Sequence, residues 1–165
     1  MQRPYNILVL CTGNSARSIM GEALFNTLGA GRVHASSAGS HPTGRVNPYA
    51  IEQVRALGYP IERLRSKSWD EFARSDAPQM DFIVTVCDNA AGETCPLWPG
   101  HPVTAHWGFA DPASVEGSDE QKRAAFAHTL GQIRRSVERL LSLPLESMDR
   151  PAIQTEMRRI GAEPV

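Results

Sequence analysis

The alternation of short apolar runs with amphipathic stretches limits most strongly what this chain can fold into. Tyr5 to Leu10 is a mostly apolar run of strand length, as expected of a strand buried on both faces. A turn-rich stretch, Thr12-Gly13-Asn14-Ser15, follows Cys11. Met20, Ala23, Leu24, Thr27 and Leu28 then recur at helical spacing, with Gly29 as a stop. Val33 to Ser37 reads as a second strand, ended by Gly39. Asn47-Pro48 places a cap residue before a proline at the first helical position, and Ala50, Ile51, Val54 and Leu57 supply the apolar face. Ser68 with Glu71 predicts a capping box and a short helix. Phe82 to Val86 is a β-branched strand, and Val103 to Trp107 a shorter one. Ser118 with Gln121 is a second capping box, behind which Phe126, Leu130, Ile133, Val137 and Leu140 trace one face of a long helix. Asp149 to Ile160 reads as a final, more exposed helix. Strands alternating with helices imply parallel pairing through right-handed crossovers. The expected fold is a small doubly wound α/β sheet of about four strands, with ligands at the carboxyl ends of the strands.

At 165 residues the chain is expected to form one domain. Seventeen basic against eighteen acidic residues leave a net charge of −1, which removes any global electrostatic case for a nucleic-acid or anionic-membrane partner. No apolar stretch approaches the roughly 18–20 residues of a membrane span. Met1-Gln2-Arg3-Pro4 leads straight into the first strand without a signal-peptide pattern, so a cytoplasmic location is expected. Three cysteines are too few and too odd for a secreted disulfide framework. In a reducing compartment such thiols serve as nucleophiles, ligands or redox relays.

Cys11 and Cys87 each stand just past the carboxyl end of an expected strand, which places two distant thiols on one sheet edge. The first lies in Cys11-Thr12-Gly13-Asn14-Ser15-Ala16-Arg17-Ser18. A loop opening a helix turns backbone N–H groups toward one point, and the helix dipole adds positive charge there. Gly13 and Asn14 tolerate the backbone angles such a cradle needs. Arg17 can grip two oxygens of a tetrahedral oxyanion. Cys11 is the candidate nucleophile beneath it, with a pKa expected below the usual value of about 8.5, and Ser18 a candidate donor to its thiolate. The bland reading is a half-buried Cys beside an ordinary glycine turn.

The second constellation is Cys87-Asp88-Asn89-Ala90-Ala91-Gly92-Glu93-Thr94-Cys95-Pro96. Three readings of its thiols stand side by side: two unrelated cysteines, a zinc site with His101 and His106, and a redox relay. No close Cys pair supports zinc, and a relay asks only that each sulfur approach the next in turn. Trp98 and Trp107 read as packing residues. His106 reads equally as structural or as orienting a catalytic group.

The Cys11 to Ser18 block resembles the oxyanion loop of the low-molecular-weight protein tyrosine phosphatase family: Cys, five residues, Arg, then Ser or Thr, after the first strand. The resemblance implies a single-domain three-layer α/β/α fold over 1–145, followed by a helical tail over 146–165. It implies Cys11 as nucleophile, Thr12 to Ser18 as the oxyanion site, and Asp111, ahead of Pro112, as general acid. The bland reading of Asp111-Pro112 is a turn initiator. Taken with Thr85 to Glu93, Cys95-Pro96, Thr104 to Gly108, Ser37-Ala38-Gly39 and Asn47-Pro48, the chain is similar to the thioredoxin-coupled arsenate reductases of that superfamily. That similarity implies reduction of arsenate by Cys11, a Cys87/Cys95 disulfide relay and thioredoxin as reductant. No organic cofactor is implied. The best-known branch has a potassium site. Asn14, Glu22 and Ser37 match three of its ligand positions, but Ser66-Lys67-Ser68 lacks the acidic ligand, and Lys67 is expected in the cation's place. Ala113 and Ser114 follow Asp111-Pro112 where tyrosine phosphatases carry aromatic residues, which argues against a phosphotyrosine substrate. The alternatives are a phosphatase working through a cysteinyl phosphate, which needs neither Cys87 nor Cys95, and an anion-binding or arsenic-sensing module without turnover.

Overall fold

The computed structural model describes residues 3–87, 98 and 100–163. Four parallel strands make one sheet: β1 (Tyr5–Cys11), β2 (Val33–Gly39), β3 (Phe82–Thr85) and β4 (Val103–His106). Their order is β2-β1-β3-β4, with Tyr5 opposite Val33, Ile7 opposite Phe82, and Phe82 opposite Val103. The chain leaves β1 to one side for β2 and returns to its other side for β3. β1 is therefore the point where the strand order reverses, which is where open α/β sheets bind ligands. Cys11 is the last residue of that strand.

The helices are α1 (Arg17–Leu28), α2 (Pro48–Ala56), α3 (Asp70–Ala73), α4 (Asp119–Leu141) and α5 (Arg150–Ala162). Their ends follow the local chemistry. The Asn47 side chain accepts the Tyr49 N–H at the start of α2, and Gly58, at φ +83°, stands just beyond its end. Ser118 and Gln121 close a reciprocal capping box on α4. Asp149 caps α5 by accepting from Ala152 N–H at 2.9 Å. The capping box expected at Ser68 and Glu71 does not form. Ser68 Oγ takes the Asp70 N–H at 3.1 Å, but the Glu71 carboxylate turns away to a two-pronged pair with Arg65 at 2.7 and 2.9 Å. A two-pronged pair with a guanidinium outweighs a single carboxylate contact to a backbone N–H.

The two sheet faces are unequally covered. Ile7, Val9, Phe82, Val84 and Val103 join Ile19, Ala23, Phe126, Ile133, Val137, Ile153 and Met157 in the main core beneath α1, α4 and α5. Leu8, Leu10 and Ile83 form a smaller cluster on the other face with Trp69 of the α3 turn and the partly buried Phe72 and Trp98. Helix α5 is better packed than its sequence suggests: Ile153, Met157 and Ile160 are buried. Trp107 donates its indole N–H to Met157 O at 2.9 Å, and a Cβ at Gly161 would meet His106 O at 2.1 Å. The last helix thus lies backbone-close against β4.

Candidate active site

The segment from Cys11 to Ser18 joins β1 to α1. Four of its carbonyls are held from outside: Thr12 O by His41 N–H (2.9 Å), Gly13 O by Thr43 N–H (3.0 Å) and Ser66 Oγ (3.1 Å), Ser15 O by Asn47 N–H (2.8 Å), and Ala16 O by Met20 N–H (2.9 Å). In a trans peptide the N–H points opposite its carbonyl. The N–H groups of Gly13, Asn14, Ala16 and Arg17 are thereby turned away from those anchors. Ala16 gives α1 no side-chain cap, and its first turn carries no acidic residue. That leaves the helix N-terminus available to an anion. Asn14 sits at φ +46°, in the left-handed region that Asn tolerates. Its Nδ2 donates to Ser18 Oγ at 2.8 Å and Ser37 Oγ at 3.0 Å, and its Oδ1 accepts Lys67 N–H at 2.9 Å. The Ser18 hydroxyl, expected as a donor to the Cys11 thiolate, accepts from Asn14 and so serves the loop's own frame.

Gly39 lets β2 approach this loop. A Cβ there would meet Thr12 O at 2.4 Å and Cys11 O at 2.7 Å. Gly39→Ala is expected to displace the loop and weaken phosphate binding by roughly tenfold or more, a loss of about 1.4 kcal/mol that calorimetric titration reads directly.

Arg17, the first residue of α1, donates from Nη1 to Phe109 O at 2.9 Å, and its Nη2 lies 3.8 Å from Asp111 Oδ2. Asp111 also accepts the Ala113 N–H at 2.9 Å, so the turn-initiating role and the place beside Arg17 belong to one carboxylate. The sequence holds no signal for the Phe109 contact, because the acceptor is a backbone carbonyl.

Cys11 and Cys87 come together. Both are buried, and the two thiols lie close enough to influence each other's ionisation. The Thr12 N–H, an expected oxyanion donor, here donates to Cys87 Sγ at 3.3 Å. The expectation of a depressed Cys11 pKa is corrected. The interaction with Cys87 and then burial push the Cys11 thiol up, and the Arg17 charge and the Thr12 N–H oppose them without prevailing. Arg17 and the Thr12 N–H act in the direction the loop sequence implies, but Cys87 brings a second sulfur against the first. Cys95 lies outside the described residues. His106 stands beside Thr85, Nδ1 to Oγ1 at 2.8 Å, and among the described residues no cluster of three or more His, Cys, Asp or Glu forms a metal centre.

A sequence profile of the low molecular weight phosphotyrosine protein phosphatase family matches residues 6–154. The chain belongs to that family. Among relatives of this phosphatase-family chain, the arsenate reductase of Halalkalibacterium halodurans is 36% identical over 132 residues, covering 80% of this chain and 91% of the relative. The arsenate reductase of Bacillus subtilis is 36% identical over 127 residues, 77% of this chain and 88% of its own. A solved arsenate reductase in its phosphate-binding state superposes with a TM-score of 0.63 at 28% identity, covering 84% of this chain and 97% of that one.

Proposed function

We propose that this chain is an arsenate reductase that uses Cys11 as nucleophile, passes the oxidation to Cys87 and Cys95, and is recycled by thioredoxin. The observation that carries this reading is the buried Cys11 and Cys87 brought together where β1 enters the oxyanion loop, with the Thr12 N–H donating to Cys87 Sγ. A phosphatase needs the loop, Arg17 and an acid, and has no step that uses a second thiol against the nucleophile. A reductase needs that thiol there. The kinship with curated arsenate reductases supports the same reading.

Arsenate has the shape and charge of phosphate. The loop amides of Gly13 to Arg17 and the Arg17 guanidinium hold its oxygens. Bound arsenate competes with Cys87 for the Thr12 N–H, and its charge draws Arg17 toward the loop. Cys11 gives its proton to the bound arsenate dianion and attacks arsenic as a thiolate, and an arsenate oxygen leaves as water with a second proton supplied from Asp111. Cys87 then attacks the Cys11 sulfur. The S–As bond breaks with its electron pair on arsenic, As(V) becomes As(III), and arsenite departs from a Cys11–Cys87 disulfide. Cys95 attacks Cys87 and frees Cys11. The thioredoxin dithiol reduces the resulting Cys87–Cys95 disulfide, supplying the two electrons that arsenic received.

The test is consumption of NADPH through thioredoxin and thioredoxin reductase. Arsenate-dependent consumption with arsenite as product is expected. Hydrolysis of an aryl phosphate without arsenate-dependent consumption would instead establish the phosphatase reading, and oxyanion binding with neither activity would establish a sensing module.

A further inference from the structure

Two buried charged side chains take no part in the steps above. The Glu22 and Lys67 side chains are 6% and 8% exposed, with Lys67 Nζ 4.0 Å from Glu22 Oε1. Lys67 Nζ donates to Arg65 O at 3.0 Å. Glu22 accepts from Ser37 Oγ at 2.7 Å and from Tyr59 Oη at 3.4 Å. A cavity of about 550 Å³ opens beside them, with His34, Arg63 and Arg65 also on its wall. Burial pushes the Glu22 carboxyl up and the Lys67 ammonium down, and each charge opposes the shift of the other. Removing one member of such a pair leaves a buried charge uncompensated.

The pair is wired to the oxyanion loop. Ser37, which donates to Glu22, accepts from Asn14 Nδ2 at 3.0 Å, and the Lys67 N–H donates to Asn14 Oδ1. Asn14 is the loop residue held at positive φ. The potassium ion implied at Asn14, Glu22 and Ser37 does not fit these residues. The Asn14 oxygen is taken by Lys67 N–H, its Nδ2 faces Ser37, and a resident ammonium already stands against the carboxylate.

We propose that Lys67 is a positioning residue: its ammonium is a built-in cation that balances Glu22, holds Asn14 and the oxyanion loop through Ser37, and makes the chain independent of potassium. The proposal rests on the oxyanion loop of the function proposed above, but phosphate binding tests it without any arsenate turnover.

The experiment measures phosphate affinity by calorimetry and Tm, in choline chloride and in potassium chloride at equal ionic strength. For the unaltered chain both quantities are expected to be the same in the two salts. Lys67→Met, which keeps the length and removes the charge, is expected to bind phosphate about tenfold more weakly and to lose on the order of 10 °C in Tm. Lys67→Ala, which opens room beside Glu22, is expected to regain affinity with potassium or methylammonium, a response that a purely structural lysine would not give. If Lys67→Met does not fold, Glu22→Gln/Lys67→Met, with both charges gone, is expected to fold. A potassium response of more than about twofold in the unaltered chain, unchanged phosphate affinity in Lys67→Met, no cation rescue in Lys67→Ala, or an unfolded double variant would each overturn the proposal. Loss of arsenate turnover alone, with these phosphate results intact, would count against the reductase reading and not against Lys67.

Discussion

Cys11→Ser is expected to abolish arsenate reduction, with turnover lower by roughly 10⁴-fold or more, while phosphate affinity stays within a few-fold of the starting protein. The asymmetry follows from the separate origins of binding and chemistry. Binding comes from loop amides whose carbonyls are anchored by His41, Thr43, Asn47 and Met20, and from Arg17; none of these contacts involves the Cys11 sulfur. Chemistry cannot start without that sulfur, because a serine hydroxyl at this position is a poorer nucleophile and cannot enter a disulfide. Calorimetry with phosphate beside a turnover assay with arsenate separates the two. A variant that loses both would mean that the sulfur shapes the cradle.

Cys87→Ser is expected to be equally severe for thioredoxin-coupled turnover, with a loss of roughly 10³-fold or more, yet to leave oxyanion binding and any aryl-phosphate hydrolysis in place. In the proposed sequence Cys87 acts only after Cys11 has bonded arsenic, so its absence strands that adduct. The electrostatics add a second readout. The interaction with Cys87 is the largest influence raising the Cys11 thiol, ahead of burial. Removing it with Cys87→Ala is expected to lower the Cys11 pKa. The pH profile of Cys11 alkylation then moves toward lower pH, since a thiol that ionises more readily reacts at lower pH. An unchanged profile would contradict the assigned contact, and full thioredoxin-coupled turnover in Cys87→Ser would remove the relay.

Much of the fold was legible because its determinants are local. Asn47-Pro48 and Ser118 with Gln121 satisfy orphan N–H groups within a few residues, so their patterns translate directly into helix starts. The burial of β1 and β3 was legible from Tyr5 to Leu10 and Phe82 to Val86. Strand alternation placed Cys11 and Cys87 on one sheet edge, and the pairing of β1 with β3 made them neighbours. Long-range competition was not legible. Glu71 leaves its expected cap for Arg65, α5 is held by Trp107 and the close approach at Gly161, and Arg17 is tethered by the Phe109 carbonyl. The field around Cys11 was the largest gap. Its amides and guanidinium are adjacent in sequence, but the Cys87 sulfur that reverses the pKa shift arrives from a strand many residues away.

The direct measurement is the fate of the thiols after a single oxidation. Cys95→Ser protein, fully reduced, is mixed with arsenate and no other reductant, quenched by alkylation and mapped by mass spectrometry. The account predicts about one equivalent of arsenite per chain, a mass loss of two hydrogens, and a peptide pair joined through Cys11 and Cys87. Arsenite released while Cys11 and Cys87 are both still alkylated, or no arsenite at all from a protein that binds phosphate, would contradict it.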